Sequence, residues 1–126
     1  MSSFSVLLRL EMHAHLPVLQ RFLYINKIMQ YTIEKTDEFN AWQNAMKDRL
    51  AKQMVSIRIM RAEQGNFGKH KSLRNGVSEM KIDIGKGYRV YYTIRQQKII
   101  LLLLGGDKST QDEDIKKAIK MAERIK

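Results

Sequence analysis

The chain contains no cysteine, so neither a disulfide framework nor a thiolate metal site is open to it. Histidine is nearly as scarce: His13, His15 and His70 stand without acidic residues at ligand spacing, and neither a metal nor a cofactor is expected. The only proline, Pro17, lies in residues 1–28, a stretch that holds two of the three histidines and reads unlike the remainder. Arg9 and Glu11 interrupt the apolar residues there, no basic segment precedes them and no small-residue cleavage site follows. That excludes a good signal peptide and a membrane span. The expectation is a reduced, cytoplasmic protein that does not enter the membrane. Its 126 residues, 44% of them hydrophobic, suffice for one domain with a single modest core.

Acidic residues are the other shortage. Between Lys47 and Lys98 thirteen Lys and Arg face four acids, so +9 of the formal +10 lies in the middle of the chain. A positive field on one part of a small domain attracts polyanions, with RNA, DNA or an acidic protein as the ordinary partners. The alternative is a basic surface that only keeps the protein soluble. Charge does not choose between them.

The compact domain is expected to begin at Met29 and run to residue 126, leaving 1–28 as an appendage or the product of a mis-set start. The rival is an extra helix docked through Leu16, Leu19, Phe22 and Leu23. Tyr31, Thr32 and Ile33 are β-formers and predict a first strand. Thr36, followed by Asp37 and Glu38, is a helix start whose hydroxyl caps and whose acids suit the positive end of the dipole. Phe39, Trp42, Met46, Leu50, Ile57 and Met60 fall near helical spacing through Glu63. Asp48 is placed to cap a second helix and make a hairpin, though no glycine or proline forces a break. Met54 and Ile59 point away from that stripe, as partner contacts or under a neighbouring helix. Gly65 ends the helical region.

A β region follows. Asn75-Gly76 is a hairpin turn joining Lys69–Leu73 to Val77–Ile84, and Gly85-Lys86-Gly87 turns the chain into Tyr88–Arg95. Met80, Ile82, Tyr88, Val90 and Tyr92 share one parity, whereas Lys81, Arg89 and Tyr91 share the other. One face is therefore expected to be packed and the other open. Ile99 to Leu104 carries no polar residue and predicts a strand buried on both sides. Thr110 and Glu113 read as a capping box, opening a last helix with Ile115, Ala118, Ile119 and Ala122 on its apolar side. The fold class is α+β: a strand and helical hairpin packed on an antiparallel β meander, then a C-terminal helix.

Gly65-Asn66-Phe67-Gly68, Gly76-Val77-Ser78-Glu79, the run from Gly85 through Gly87-Tyr88-Arg89-Val90-Tyr91-Tyr92, and Gly105-Gly106-Asp107-Lys108-Ser109-Thr110-Gln111 resemble, in order and spacing, the HigB-like "addiction module killer protein" branch of the RelE/ParE toxin superfamily. The resemblance covers about residues 29–126. It implies a toxin of a type II toxin–antitoxin pair, silenced by a cognate antitoxin that is commonly a helix-turn-helix protein. RelE-type members cleave mRNA on the ribosome, and ParE-type members inhibit DNA gyrase without cleaving RNA. Closeness to HigB favours a metal-independent endoribonuclease, and an inactive basic RNA-binding domain is the third alternative.

RNA cleavage of this kind needs a base for the 2′-hydroxyl, cations for the charge developing on the phosphate, and an acid for the leaving oxygen. Arg89 occupies the Gly-Tyr-Arg arginine of the RelE-like pattern and can hold a phosphate bidentately. Lys81 shares its parity and adds charge or moves a proton, unless it only pairs with Glu79 or Asp83. His70 titrates near neutrality and is the candidate acid or base. Lys69 and Lys71 are candidates to grip an RNA backbone, Tyr91 to stack on a base, and Lys108 to meet a phosphate beside a helix start. Met54 and Ile59 are the candidate antitoxin contacts. The chain departs from RelE in two ways: Lys81 stands alone between acids where RelE has two lysines, and no tyrosine follows Tyr92. The general base is therefore unassigned.

Overall fold

The computed structural model describes residues 16–28 and 30–125; Met29, the expected start of the domain, and His13 and His15 lie outside the described residues. Helix α1, Val18–Ile28, is the first element of the described residues. Its Val18, Leu19, Phe22 and Leu23 remain 56–73% exposed, whereas Leu16, the fourth residue of the rival docked-helix reading, is half-buried.

Strand β1, Thr32–Lys35, runs into the predicted cap. Thr36 Oγ1 accepts from Phe39 N at 3.0 Å and donates to the Leu103 carbonyl at 2.7 Å, starting helix α2, Asp37–Ala45, and tying it to the sheet. Asp48 does break the helical region: its carboxylate accepts from Ala51 N at 3.1 Å and opens helix α3, Arg49–Glu63. The inward stripe of α3 is Ala51, Val55, Ile59 and Ala62. Leu50, Ile57 and Met60, placed inward by the sequence reading, are exposed instead. Because Asp48 restarts the helix, its phase is no longer set by Phe39 and Trp42, and the stripe rotates. Gly65, at φ +90°, ends α3 as expected.

Strands β2 (His70–Ser72), β3 (Val77–Ile82), β4 (Tyr88–Arg95) and β5 (Ile99–Asp107) form the antiparallel meander. β1 pairs with β5 in parallel, Thr32 against Ile99 through Lys35 against Leu102, so the sheet is mixed, in the order β1-β5-β4-β3-β2. Asn75 and Gly76 both take positive φ, 56° and 78°, as the turn chemistry demands.

The last helix, α4, spans Gln111–Ile125 after a short 3-10 turn at Lys108–Thr110. The capping box is not formed. Asp107 caps instead, its Oδ1 accepting from Ser109 N at 2.8 Å, while the Thr110 hydroxyl donates to Asp114 Oδ2 at 2.6 Å. The Ser109 hydroxyl and amide, holding the ionised form, keep the Asp107 carboxyl below its usual range.

Both faces of the sheet are packed. The hairpin covers Met80, Ile82, Tyr88, Val90, Tyr92, Ile100 and Leu102. On the other face α4 lays Ala118, Ile119, Met121 and Ala122 over Val77, Tyr91, Leu101, Leu103 and Leu104. A bulge in the β4–β5 ladder between Tyr91 and Tyr92 leaves Leu103 unpaired and sends both Leu103 and Leu104 to the α4 side. The two glycines after them answer to opposite faces. A Cβ on Gly105 would lie 2.1 Å from Trp42 Cε3 of α2, and one on Gly106 would lie 1.9 Å from Asp114 Oδ2 of α4. At the Gly-Gly pair both covering layers approach the backbone too closely for a side chain.

Candidate functional site

Three adjacent strands set the charged residues in rows. Lys81 N donates to the Lys69 carbonyl at 2.8 Å and Lys81 is paired with Arg89, making one row from the residue just before β2 across β3 and β4. Lys71, Glu79 and Tyr91 form the next row. All six lie on the parity opposite to Met80 and Val90.

α4 covers this face only in part. Tyr91 lies wholly beneath it, at 0% exposure, and its hydroxyl finds no hydrogen-bond partner. Burial first, and then the nearby Glu79 carboxylate, push its phenol well above the ordinary range. Tyr91 is therefore not presented on an open face, as base stacking was expected to require: parity placed the residue on the right side of the sheet, but α4 covers it. Where α4 begins, a cleft of about 290 Å³ remains, lined by Lys69, His70, Lys71, Glu79, Lys81, Arg89 and Gln111.

Arg89 and Glu79 make the floor, with side chains 6% and 4% exposed. Arg89 Nη1 donates to the Gly87 carbonyl at 3.2 Å, and Nε, 3.9 Å from Glu79 Oε2, is buried with no hydrogen-bond partner. Lys69, Lys71 and Lys81 form the rim, their side chains 62%, 63% and 34% exposed. Asp83, outside the floor, takes Lys69 at 3.0 Å and Lys81 at 3.7 Å. The hydrogen bond from Lys69 holds the Asp83 carboxyl below its usual range. Lys81 thus pairs with Asp83 and not with Glu79.

His70 is in β2 opposite Met80, so its ring turns to the hairpin side. There Nδ1 lies 2.8 Å from the Gly68 carbonyl and the ring sits 5.6 Å from that of Phe67. It lines the cleft edge without aiming its imidazole into it. Lys108, on the 3-10 turn, is exposed and does not line the cleft. Ile59 is a core residue at 7% exposure and Met54 is half-buried against the same core, which withdraws Ile59 as a surface contact.

Sequence reading missed three residues. Glu79 was legible in principle, since it shares parity with Lys81 and Arg89, but it was read only as a lysine's partner. Gln111, whose Nε2 donates to Glu79 Oε2 at 3.4 Å, belongs to the site only because α4 docks there. Arg58, on α3, donates to the carbonyls of Lys81, Phe67 and Lys69 at 2.7, 3.0 and 3.2 Å, fixing the backbone that carries the rim. No pattern in α3 separates it from its basic neighbours.

A larger groove of about 550 Å³ runs between Trp42, Met46, Lys47, Lys86 and Tyr88. Its two carboxylates, Asp48 and Asp107, are already occupied as caps. The smaller cleft carries the convergent charge and is the better candidate. Among the described residues, no group of three or more His, Cys, Asp or Glu side chains is placed to hold a metal ion, and no helix is long and apolar enough to cross a membrane.

The model of the family "Phage derived protein Gp49-like (DUF891)" matches residues 37–126, from the start of α2 through strands β2 to β5 and α4, leaving β1 outside the match. The chain belongs to the Gp49-like family. One relative in sequence, an uncharacterised protein of Haemophilus influenzae, is 43% identical over 97 residues, covering 77% of this chain and 98% of that one. Among solved structures, a double arginine-to-alanine mutant of the E. coli toxin RelE in the free state matches with a TM-score of 0.56 and 16% identity, covering 72% of this chain and 96% of RelE. This Gp49-like protein thus has the RelE fold, as the motif order led us to expect.

Proposed function

We propose that this protein is the toxin of a type II toxin–antitoxin pair and acts as a ribosome-dependent mRNA endonuclease in the cytoplasm. The single observation that carries this reading is the row Lys69, Lys81 and Arg89 running from the rim to the floor of a cleft, on a fold shared with a toxin. Arg89 holds a phosphodiester oxyanion at the floor and opposes the charge that develops there during attack by the 2′-hydroxyl. Lys81 adds positive charge beside it, and Lys69 and Lys71 hold the neighbouring backbone. The base and the acid are not assigned to side chains. The ribosome positions the message, and a cognate helix-turn-helix antitoxin silences the protein.

Primer extension on transcripts after brief induction tests this reading: cuts within translated codons are expected. Intact transcripts accompanied by DNA breaks would instead establish gyrase inhibition, and harmless induction at high expression would sink both. Arg89→Ala is expected to relieve growth arrest while the chain still folds and still retains its antitoxin. Undiminished arrest removes Arg89 from the machinery.

A further inference from the structure

Glu79 is the one carboxylate among the residues lining the cleft, and it sits on the floor instead of the rim. Its oxygens lie 3.4 Å from Gln111 Nε2, 3.8 Å from Lys71 Nζ and 3.9 Å from Arg89 Nε. Charge-assisted hydrogen bonds close to roughly 2.7–2.9 Å, so this carboxylate neutralises its neighbours without saturating them. Arg89 Nε is correspondingly left buried and unpartnered, a donor desolvated with nothing in return. Such an arrangement leaves room for a second anion on the same cations.

We infer that Glu79 is a specificity residue of the cleft, an internal counter-anion that competes with a ligand's phosphodiester for Arg89 and Lys71. A lone phosphate then binds poorly, because it must work against the carboxylate. A polyanion that also meets Lys69 and Lys81 is favoured. This rests on the reading that the cleft receives an RNA phosphate. A residue that merely positioned Arg89 would have the opposite effect on binding, so the sign of the change separates the two roles.

The probe is a short fluorescein-labelled single-stranded RNA, titrated by anisotropy against the full chain at several salt concentrations. Glu79→Gln is isosteric and keeps a partner for Gln111; its urea midpoint is measured alongside. It is expected to bind about 5-fold more tightly at low salt. Its log–log salt slope should steepen by about 0.7, as one more cation becomes free to meet a phosphate. Arg89→Ala is expected to weaken binding in both backgrounds. Should Glu79→Gln fail to fold, Glu79→Asp, which draws the carboxylate back by one methylene, is expected to shift affinity in the same direction by a smaller factor. Unchanged or weaker binding by the folded variant, with Arg89→Ala still weakening the parent, overturns the counter-anion role and leaves the cleft reading standing. Binding indifferent to Arg89→Ala overturns the cleft reading and this inference with it.

Discussion

Arg58 Nη1 donates to the backbone carbonyl of Lys81 at 2.7 Å, and through that bond a helix on one side of the sheet sets the strand that carries the cleft on the other. The same guanidinium takes the carbonyls of Phe67 and Lys69, and Gly68, at φ +60°, passes beneath it where a Cβ would come within 2.7 Å of Nη2. Burial, and then the neighbouring Arg61, lower the pKa of this guanidinium.

Removing that fork takes a donor from the Lys81 and Phe67 carbonyls, while the Lys69 carbonyl keeps the bond from Lys81 N. Arg58→Ala is expected to lower stability by about 2–3 kcal/mol, read as a drop in the urea midpoint with an unchanged slope. Arg58→Lys, a point charge without the planar fork, is expected to recover less than half. Recovery of the full midpoint by lysine would show that charge alone matters at this position.

Gly105 and Gly106 have separable costs. Gly105→Ala meets the indole of Trp42, a ring with little room to move, and is expected to cost about 3 kcal/mol. Gly106→Ala meets the end of the Asp114 side chain, which can swing away at the loss of its bond from Thr110, and is expected to cost about 1 kcal/mol. Thermal melts of the two variants check the order, which reverses if α4 is the less yielding layer.

Tyr91 carries a buried hydroxyl with no partner, so Tyr91→Phe removes a desolvated group and disturbs little packing. The variant is expected to be as stable as the parent or more stable by up to about 1 kcal/mol. RNA affinity in the anisotropy assay is expected to stay the same. A loss of affinity would mean that the ring reaches a base after all.

Tyr91 and Tyr92 both stay protonated in the fold beyond the pH at which they ionise in the unfolded chain. Burial pushes Tyr92 up from 10.0 to about 12 and Tyr91 in the same direction. The unfolded state therefore releases protons first, and stability is expected to fall as pH rises from about 10, by about 1.4 kcal/mol per pH unit for each tyrosine. Urea midpoints between pH 10 and 12 check this, and Tyr92→Phe should make the decline shallower.

A chain beginning at Met29 is expected to fold as stably as the full chain, because Val18, Leu19, Phe22 and Leu23 of α1 are largely exposed. A fall of more than about 1 kcal/mol in unfolding free energy would show that residues 1–28 belong to the core.

How much of this was legible in the sequence follows from the range of the interactions involved. Thr36, Asp48, Gly65 and Asn75-Gly76 act on their own few residues, and each does what its chemistry predicts. Strand parity is equally local and correctly grouped Lys81 with Arg89. The errors came from elements meeting at a distance. Ile59 turned inward because Asp48 restarted the helix, and Tyr91 was covered because α4 folds back over β4. His70 lies in the predicted strand Lys69–Leu73, but its parity, which turns it away from Lys69 and Lys71, was not applied to it. The parallel pairing of β1 with β5 has no local signature at all.

That pairing bears on timing. Thr36 and Leu103 are joined by a hydrogen bond across 67 positions of sequence, and the strands beside them close the same span. Closing so long a loop costs entropy before any contact rewards it, which makes this a late event in folding. A nascent chain that has delivered Lys81 and Arg89 still lacks β5 and α4, the neighbours that shape their surroundings. The cleft is therefore assembled only once β5 and the start of α4, which brings Gln111, have been synthesised.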